Sequence, residues 1–280
     1  MAPAVVAIAA TLVFPIVYNV WLSLHRFNLT RLYEGQRFIG LDNYIEALTS
    51  EHFHGALRNT LLILGGTLAI EVTVGFGLAL LLNRFIAGRR FFQIVFLLPL
   101  LLVPAVVGYM WRFMLQYDGI VNYLLSLVGL PAVDWSTTEM GLLSVIVMVA
   151  WQNTPFALII FLAALQSIDP EVDAAAQIDG AASWQRIRHI TVPLIKPFIL
   201  LVLVIRTMDL LRLFDEGYVL TRGGPGRTTE TLSQLVYTNS FTFFDIGRGA
   251  SLSLIQAGII VAFIIGYFLI LHRGSQRATP

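Results

Sequence analysis

The chain has 280 residues, 57% of them hydrophobic and 12% charged, with a formal net charge of +1 and a mean hydropathy of +0.77. Soluble domains carry about 25% charged residues, so this composition excludes an ordinary water-soluble fold; the absence of a dense basic stripe excludes a nucleic-acid partner. There is no cysteine, hence no disulfide framework, thiolate metal site or cysteine nucleophile.

Six apolar stretches succeed one another at 2–24, 60–82, 93–113, 141–165, 198–220 and 251–271, each 21 to 25 residues long. A helix needs roughly 20 residues to cross the ~30 Å hydrocarbon core, and lipid offers the backbone no partners, which makes helices the expected form. The sequence therefore predicts an all-α polytopic membrane protein with six spans, one transmembrane domain over 1–280, and both ends on the same side. The first stretch starts almost at Met1 without a basic n-region or a small-residue cleavage pattern. It reads as a span rather than a signal peptide, with room for a cytoplasmic leader ahead of it. Loops 83–92, 166–197 and 272–280 hold eight arginines and lysines in 51 residues, against seven in the 92 residues of loops 25–59, 114–140 and 221–250. The denser face is assigned to the cytoplasm.

Taken in order, the first external loop carries His52 and His54 with no third ligand near, so no metal site is expected. Glu71 falls at the middle of the second stretch. A mid-bilayer charge costs about 2.5–3.5 kcal/mol on insertion scales, so it must face protein or water, as a pathway acid or a buried acid paired to another helix. The fourth stretch contains "AWQNTPF" (150–156), where Gln152 and Asn153 stand beside Pro155. Proline opens the helical backbone, and amides beside a planar Trp151 or Phe156 suit a hydroxyl-rich, partly apolar ring.

Segment 166–197 follows, cytoplasmic and rich in alanine. Asp169 can cap a helix, Pro170 suits its first position and Glu171 its positive end. Ala174, Ile178, Ala181 and Ala182 share one helical stripe, and Gly180 permits a left-handed turn. Ser183 can cap a second short helix, expected to stop near Val192 because Pro193 follows. Helix, glycine, helix with small side chains is the shape of a docking element; lipid-lying helices show bulkier apolar faces opposite basic ones. In the fifth stretch, Arg206, Asp209, Leu210 and Leu213 lie at i, i+3, i+4 and i+7, one helix face. Arg206 can pair with Asp209, and Arg212 with Asp215 or Glu216.

The docking segment resembles the cytoplasmic loop of binding-protein-dependent ABC importer permeases, in which an EAA stretch is followed by glycine, nine residues, isoleucine and then a proline. Here Gly180 is followed by nine residues to Ile190 and then by Thr191, Val192 and Pro193. "FIGLDNYIEAL" (38–48), "YVLTRGGPGRTTETL" (218–232) and "FTFFDIGRGAS" (241–251) are similar to the carbohydrate-type members of the maltose, trehalose and glycerol-3-phosphate sort. The resemblance implies the type I (MetI-like) permease fold in a bacterial or archaeal cytoplasmic (inner) membrane, and a non-catalytic subunit that carries a sugar or sugar derivative. It also implies the partners: a second homologous permease, two cytoplasmic ATPases holding ATP and magnesium, and an extracytoplasmic solute-binding protein. By this resemblance the sugar-contacting positions fall on Gln152, Asn153, Phe156, Arg206, Asp209, Leu210 and Leu213. Docking falls on Glu171, Asp173, Ala174, Ala175, Asp179 and Gly180. Ala174 replaces the family's glutamate, whose contact is expected to be absent or taken over by Asp173 or Glu171. The solute set is charged enough to suit an anionic or strongly polar glycoside. No GxxxxGK[ST] loop is present, and no resident cofactor is expected. The rival reading is a secondary transporter with Glu71 or Asp209 as proton-coupling acid; a membrane enzyme is the weaker one, for want of a clustered acid, histidine and nucleophile.

Overall fold

Backbone groups in lipid must satisfy one another, and nearly every regular element is a helix. The computed structural model describes residues 9–84, 88–135 and 137–276. A π-helical turn (Ala9–Val13) leads into α1 (Phe14–Ser23); β1 (His25–Arg26) pairs antiparallel with β2 (Arg37–Phe38), and α2 (Asp42–Thr49) and α3 (Glu51–Asn83) follow. Then come α4 (Arg89–Leu97), α5 (Pro104–Met114), α6 (Ile120–Leu127), α7 (Thr138–Gln166), α8 (Pro170–Ile178), α9 (Ser183–Arg186) and α10 (Val192–Leu210). The chain closes with α11 (Asp215–Thr221), α12 (Leu232–Tyr237) and α13 (Ile246–Gln276).

The contacts divide the chain into two units, with α3 running through both. One unit holds residues 1–61, 211–214 and 222–280. Its core is Ala47, Phe53, Ala56, Leu232, Leu235 and Leu252. Polar side chains tie its turns: Asn43 Nδ2 donates to the carbonyls of Ser23 (2.8 Å) and His25 (3.0 Å), and Asn19 Nδ2 to Ser253 Oγ (3.0 Å). Gly247 is required here, because a Cβ would run into the His25 carbonyl. Glu230 is buried, its carboxylate 3.8 Å from Arg227 Nε.

The other unit holds 62–210 and 215–221. Its apolar core joins Ala79 and Leu82 of α3, Ala157, Phe161 and Leu165 of α7, and Ile195 and Val202 of α10. Small residues bring α3 and α7 close: a Cβ on Gly75 would stand 2.8 Å from Ala157 Cβ, and one on Gly66 2.9 Å from Ile146. Close approach of this kind is how helices pack where lipid removes the hydrophobic drive.

Among the described residues, four helices are long and apolar enough to cross a membrane: 51–83, Met140–Gln166, Ser183–Leu210 and Ile246–Leu269. The remaining expected spans differ. The third is a pair, Arg89–Leu101 and Pro104–Met114, bent by 98°. Val103 is extended (φ −65°, ψ 131°) ahead of Pro104, as the residue before a proline prefers. The fifth ends at Leu210 instead of reaching 220. There the carbonyls of Leu211 and Leu213 accept from Gln256 Nε2 (2.7 Å) and Thr231 Oγ1 (3.1 Å), so side chains take over from helical bonding. Ala9–Ser23 is a shorter apolar helix, and residues 2–8 of the first stretch lie outside the described residues. His52 and His54 are exposed on the first turn of α3, not in a loop. Nor does the helix that starts at Ser183 stop before Pro193. A π-helical turn (Ile187–Thr191), in which Val192 N–H donates to Ile187 O, widens the backbone and admits the proline.

Two outcomes are expected. Gly75→Ile, which must push α7 away, lowers the folded yield and melting midpoint in detergent, by 1–3 kcal/mol in rough terms. Gly77→Ile, whose Cβ would meet open space, leaves both near the parent. The second outcome concerns Glu230. Burial pushes its carboxyl above the ordinary 4.5, against the lowering pull of Arg227 and His52. A raised carboxyl binds its proton more tightly when folded, so the stability it lends is complete below pH 4.5 and is lost as pH rises through the folded value. Scanning fluorimetry from pH of about 4 to about 8 should show the parent's midpoint falling more than that of Glu230→Gln.

Candidate solute path and coupling loop

Glu71 lies on α3 and Arg206 on α10, 135 positions apart, and the fold forks them together. Arg206 Nε donates to Glu71 Oε2 at 2.9 Å and its NH2 group to Oε1 at 2.8 Å; NH1 donates to Asp209 Oδ2 at 3.2 Å. The Glu71 side chain is 0% exposed and that of Arg206 7%, whereas that of Asp209 is 47% exposed. Both oxygens of Glu71 accept, which is the geometry of a carboxylate facing a guanidinium. Arg206–Asp209 follows from helical spacing; the Glu71 partner was one of two readings of a mid-span acid. The only signal for it was that an arginine this deep has to be answered.

On α7 the amide nitrogens of Gln152 and Asn153 are occupied. Gln152 is buried and its Nε2 donates to Leu102 O at 3.1 Å, capping a carbonyl freed by the bend between α4 and α5. Asn153 and Phe156 are partly exposed, with Asn153 Nδ2 donating to Val149 O at 3.0 Å. Trp151 meets Trp111 edge-on, ring centroids 5.8 Å apart. Leu210 is buried at the end of α10; Leu213 is buried beyond it, so the expected helical face stops at Leu210. Of the sequence-derived solute positions, Asn153, Phe156 and Asp209 present surface, while Gln152, Arg206, Leu210 and Leu213 are buried.

The segment 166–197 forms as helix, glycine, helix. Asp169 Oδ1 caps α8 by accepting from Glu171 N–H at 2.9 Å. Gly180 has φ +77°, and Ala181 N–H reaches back to Ala176 O at 3.0 Å, closing the helix in a left-handed turn. Ala181 and Ala182 fall after this turn, so the alanine stripe is cut at Ile178. Ser183 does not cap α9. Ala182 holds that position, its N–H donating to Gln185 Oε1 at 2.8 Å, and Ser183 Oγ accepts from Arg186 at 3.3 Å. Glu171, Ala174, Ala175 and Asp179 are exposed. Ile178 and Trp184 project most, at 87% and 67% exposure. Asp173 is engaged inside the loop: its Oδ2 accepts from Arg186 NH1 at 2.8 Å and from Gln177 Nε2 at 2.8 Å. That pair spans the glycine turn with no helical spacing to announce it. At the root of the loop lies a cleft of about 450 Å³, lined by Asn83, Arg84, Gln166, Asp169 and Arg186 among others.

The description "Binding-protein-dependent transport system inner membrane component" matches residues 55–278. The probable ABC transporter permease protein y4oQ of Sinorhizobium fredii is 38% identical over 98% of this chain and 89% of its own length. The trehalose/maltose transport system permease protein MalF of Thermococcus litoralis is 33% identical over 95% of this chain and 90% of its own. Among solved structures, a bacterial ABC transporter involved in the import of the acidic polysaccharide alginate superposes with a TM-score of 0.81 at 26% identity, covering 99% of this chain and 94% of that one. The all-α fold of an ABC permease is thereby established. The chain belongs to the family of binding-protein-dependent transport system inner membrane components, as a multi-pass membrane permease.

Proposed function

We propose that this permease imports a sugar or sugar derivative as one half of a translocation path. The other half is a second homologous permease, two ATPases dock from the cytoplasm, and a solute-binding protein delivers from outside. The observation that carries the reading is the exposed helix–glycine–helix of 169–186 beneath a polar centre in apolar helices. The trehalose/maltose relative supports the solute class.

ATP hydrolysis belongs to the docked partners. Closure of the ATPases pushes α8 and α9. Residues Ser183–Leu210 form one helix of 28 residues, so a push on α9 reaches Arg206 and Asp209 along a single element. Solute then pauses against Asn153, Phe156 and Asp209 before release inward. Such a cycle moves only as far as differential affinity for its two states allows. With Asp173 held by Arg186, docking rests on shape and on Ile178 and Trp184, with Glu171 the free-standing acid. An exposed ion pair contributes only about 0–1 kcal/mol, so the alanine at 174 is tolerable. The secondary-transporter reading loses one of its two acids, because Glu71 is enclosed and forked to Arg206.

Gly180 has open space around its Cβ position, so substitution strains the backbone without a clash. Gly180→Val should lower ATPase co-purification several-fold with membrane insertion intact, while Gly180→Asn, which tolerates a left-handed turn, retains most of it. Equal yields from both would sink the docking assignment. Asn153→Ala and Phe156→Ala should each reduce uptake and solute-stimulated ATP hydrolysis from a few-fold to about tenfold, as lost contacts of about 1 kcal/mol imply, with assembly preserved. Wild-type transport by both variants would move the site elsewhere.

A further inference from the structure

Of the side chains on α8, Ala176 alone is buried and the others are exposed, so little packing fixes this helix to the rest of the chain. A cleft of about 450 Å³ opens at its side, walled by Asp169 and Asp173 before the glycine turn and by Ser183 and Arg186 after it. Hydrogen bonding of the α8 backbone closes with Ala181 N–H to Ala176 O at 3.0 Å, and beyond the turn it resumes with Arg186 N–H to Ala182 O at 3.0 Å. A Cβ at Gly180 would meet nothing within 4 Å, so no neighbour packs there to stiffen the turn. The side-chain tie across it is Arg186 NH1 to Asp173 Oδ2 at 2.8 Å. Each partner is braced by its own helix. Gln177 Nε2 donates to the same oxygen at 2.8 Å from one turn along α8, and Arg186 NH2 donates to Ser183 Oγ at 3.3 Å. The Asp173 side chain is 54% exposed and that of Arg186 19%, and a pair this open adds little to folding stability. What it adds is a fixed spacing between two helices joined by a glycine turn.

We infer that Arg186 is a positioning residue for transport. Through Asp173 it makes α8 and the helix 183–210 move as one body, so that a push on α8 is passed toward the membrane-spanning turns instead of being absorbed at Gly180. The inference deepens the docking reading and rests on it. It also gives Asp173 a task inside the loop in place of a contact to the ATPase.

The chain has no cysteine, so spin labels can be placed in chosen pairs. Labels on Val172→Cys and Leu194→Cys span the turn, and labels on Leu143→Cys and Leu201→Cys report α10 against α7; all four side chains are exposed. Double electron–electron resonance is read on the permease–ATPase complex, purified from its own membrane through a tag on this chain, without nucleotide and after trapping with ATP and vanadate. In the parent, trapping should shift the Leu143–Leu201 distance and leave the Val172–Leu194 distance in place. In Arg186→Gln the first shift should shrink about twofold to fivefold, the range open to an exposed pair. The second distance should then change instead, with ATPase co-purification at the parental yield. Asp173→Asn should shrink the shift equally, and the double variant no further, as expected when both substitutions remove one interaction. No Leu143–Leu201 shift in the parent, a changed Val172–Leu194 distance there, a full shift in Arg186→Gln or an additive double variant each overturn the inference and leave docking standing. Loss of the ATPase from Asp173→Asn but not from Arg186→Gln makes Asp173 the partner's contact and overturns it as well. If the parent brings down no ATPase, the docking reading itself falls, and this inference with it.

Discussion

A guanidinium inside a membrane cannot shed its proton, so it must be answered by a carboxylate, and Glu71 answers Arg206 with both oxygens. The pair fixes how α10 is rotated against α3. With Arg206 turned inward, Thr207 and Leu210 are buried as well, and Asp209 is turned out. A buried ion pair adds little net stability over apolar packing of the same volume, yet breaking one partner costs about 3–5 kcal/mol. Its contribution is register: of the rotations α10 could adopt, one satisfies both charges.

The helix–glycine–helix loop shows the same economy of specification. Asp169 and Gly180 set where α8 starts and stops, and Asp173 with Arg186 holds the two sides of the glycine turn together. The loop thus keeps its shape without help from charges on its outer face, which is free to be apolar at Ile178 and Trp184. Beyond it the π-helical turn lets the backbone carry on past Pro193. A proline that looks like a stop in sequence becomes part of a continuous element because a wider turn needs no hydrogen bond at that position.

Much of this was legible beforehand, for identifiable reasons. Long apolar runs announce helices, and caps such as Asp169 and turns such as Gly180 act locally, so their signals sit beside their effects. Arg206 and Asp209 are one helical turn apart and their pairing followed from spacing. What was not legible depends on contacts distant in the chain. Nothing near Glu71 names Arg206, 135 positions on, and nothing near Leu210 says that Thr231 and Gln256 will take the carbonyls that end the helix. Gln152 stands out in sequence as polar in an apolar span, but nothing near it names Leu102 O, the carbonyl at the bend between α4 and α5 that its Nε2 meets. Length and hydropathy likewise gave the third and fifth spans as 93–113 and 198–220 without a break, since neither measure sees a carbonyl satisfied from elsewhere.

The close approaches at Gly66 and Gly75 bracket Glu71 along α3 and hold that helix against α7 on both sides of the acid. Glu71 is therefore anchored to two helices before it grips a third, and the fork makes a natural fulcrum for α10. From Ser183 to Arg206 the helix measures about 35 Å at ~1.5 Å per residue, and from Arg206 to Leu210 about 6 Å. Arms of that ratio reduce displacement and multiply force roughly sixfold. A broad swing at the Ser183 end would arrive beside Asp209 as a short, strong movement.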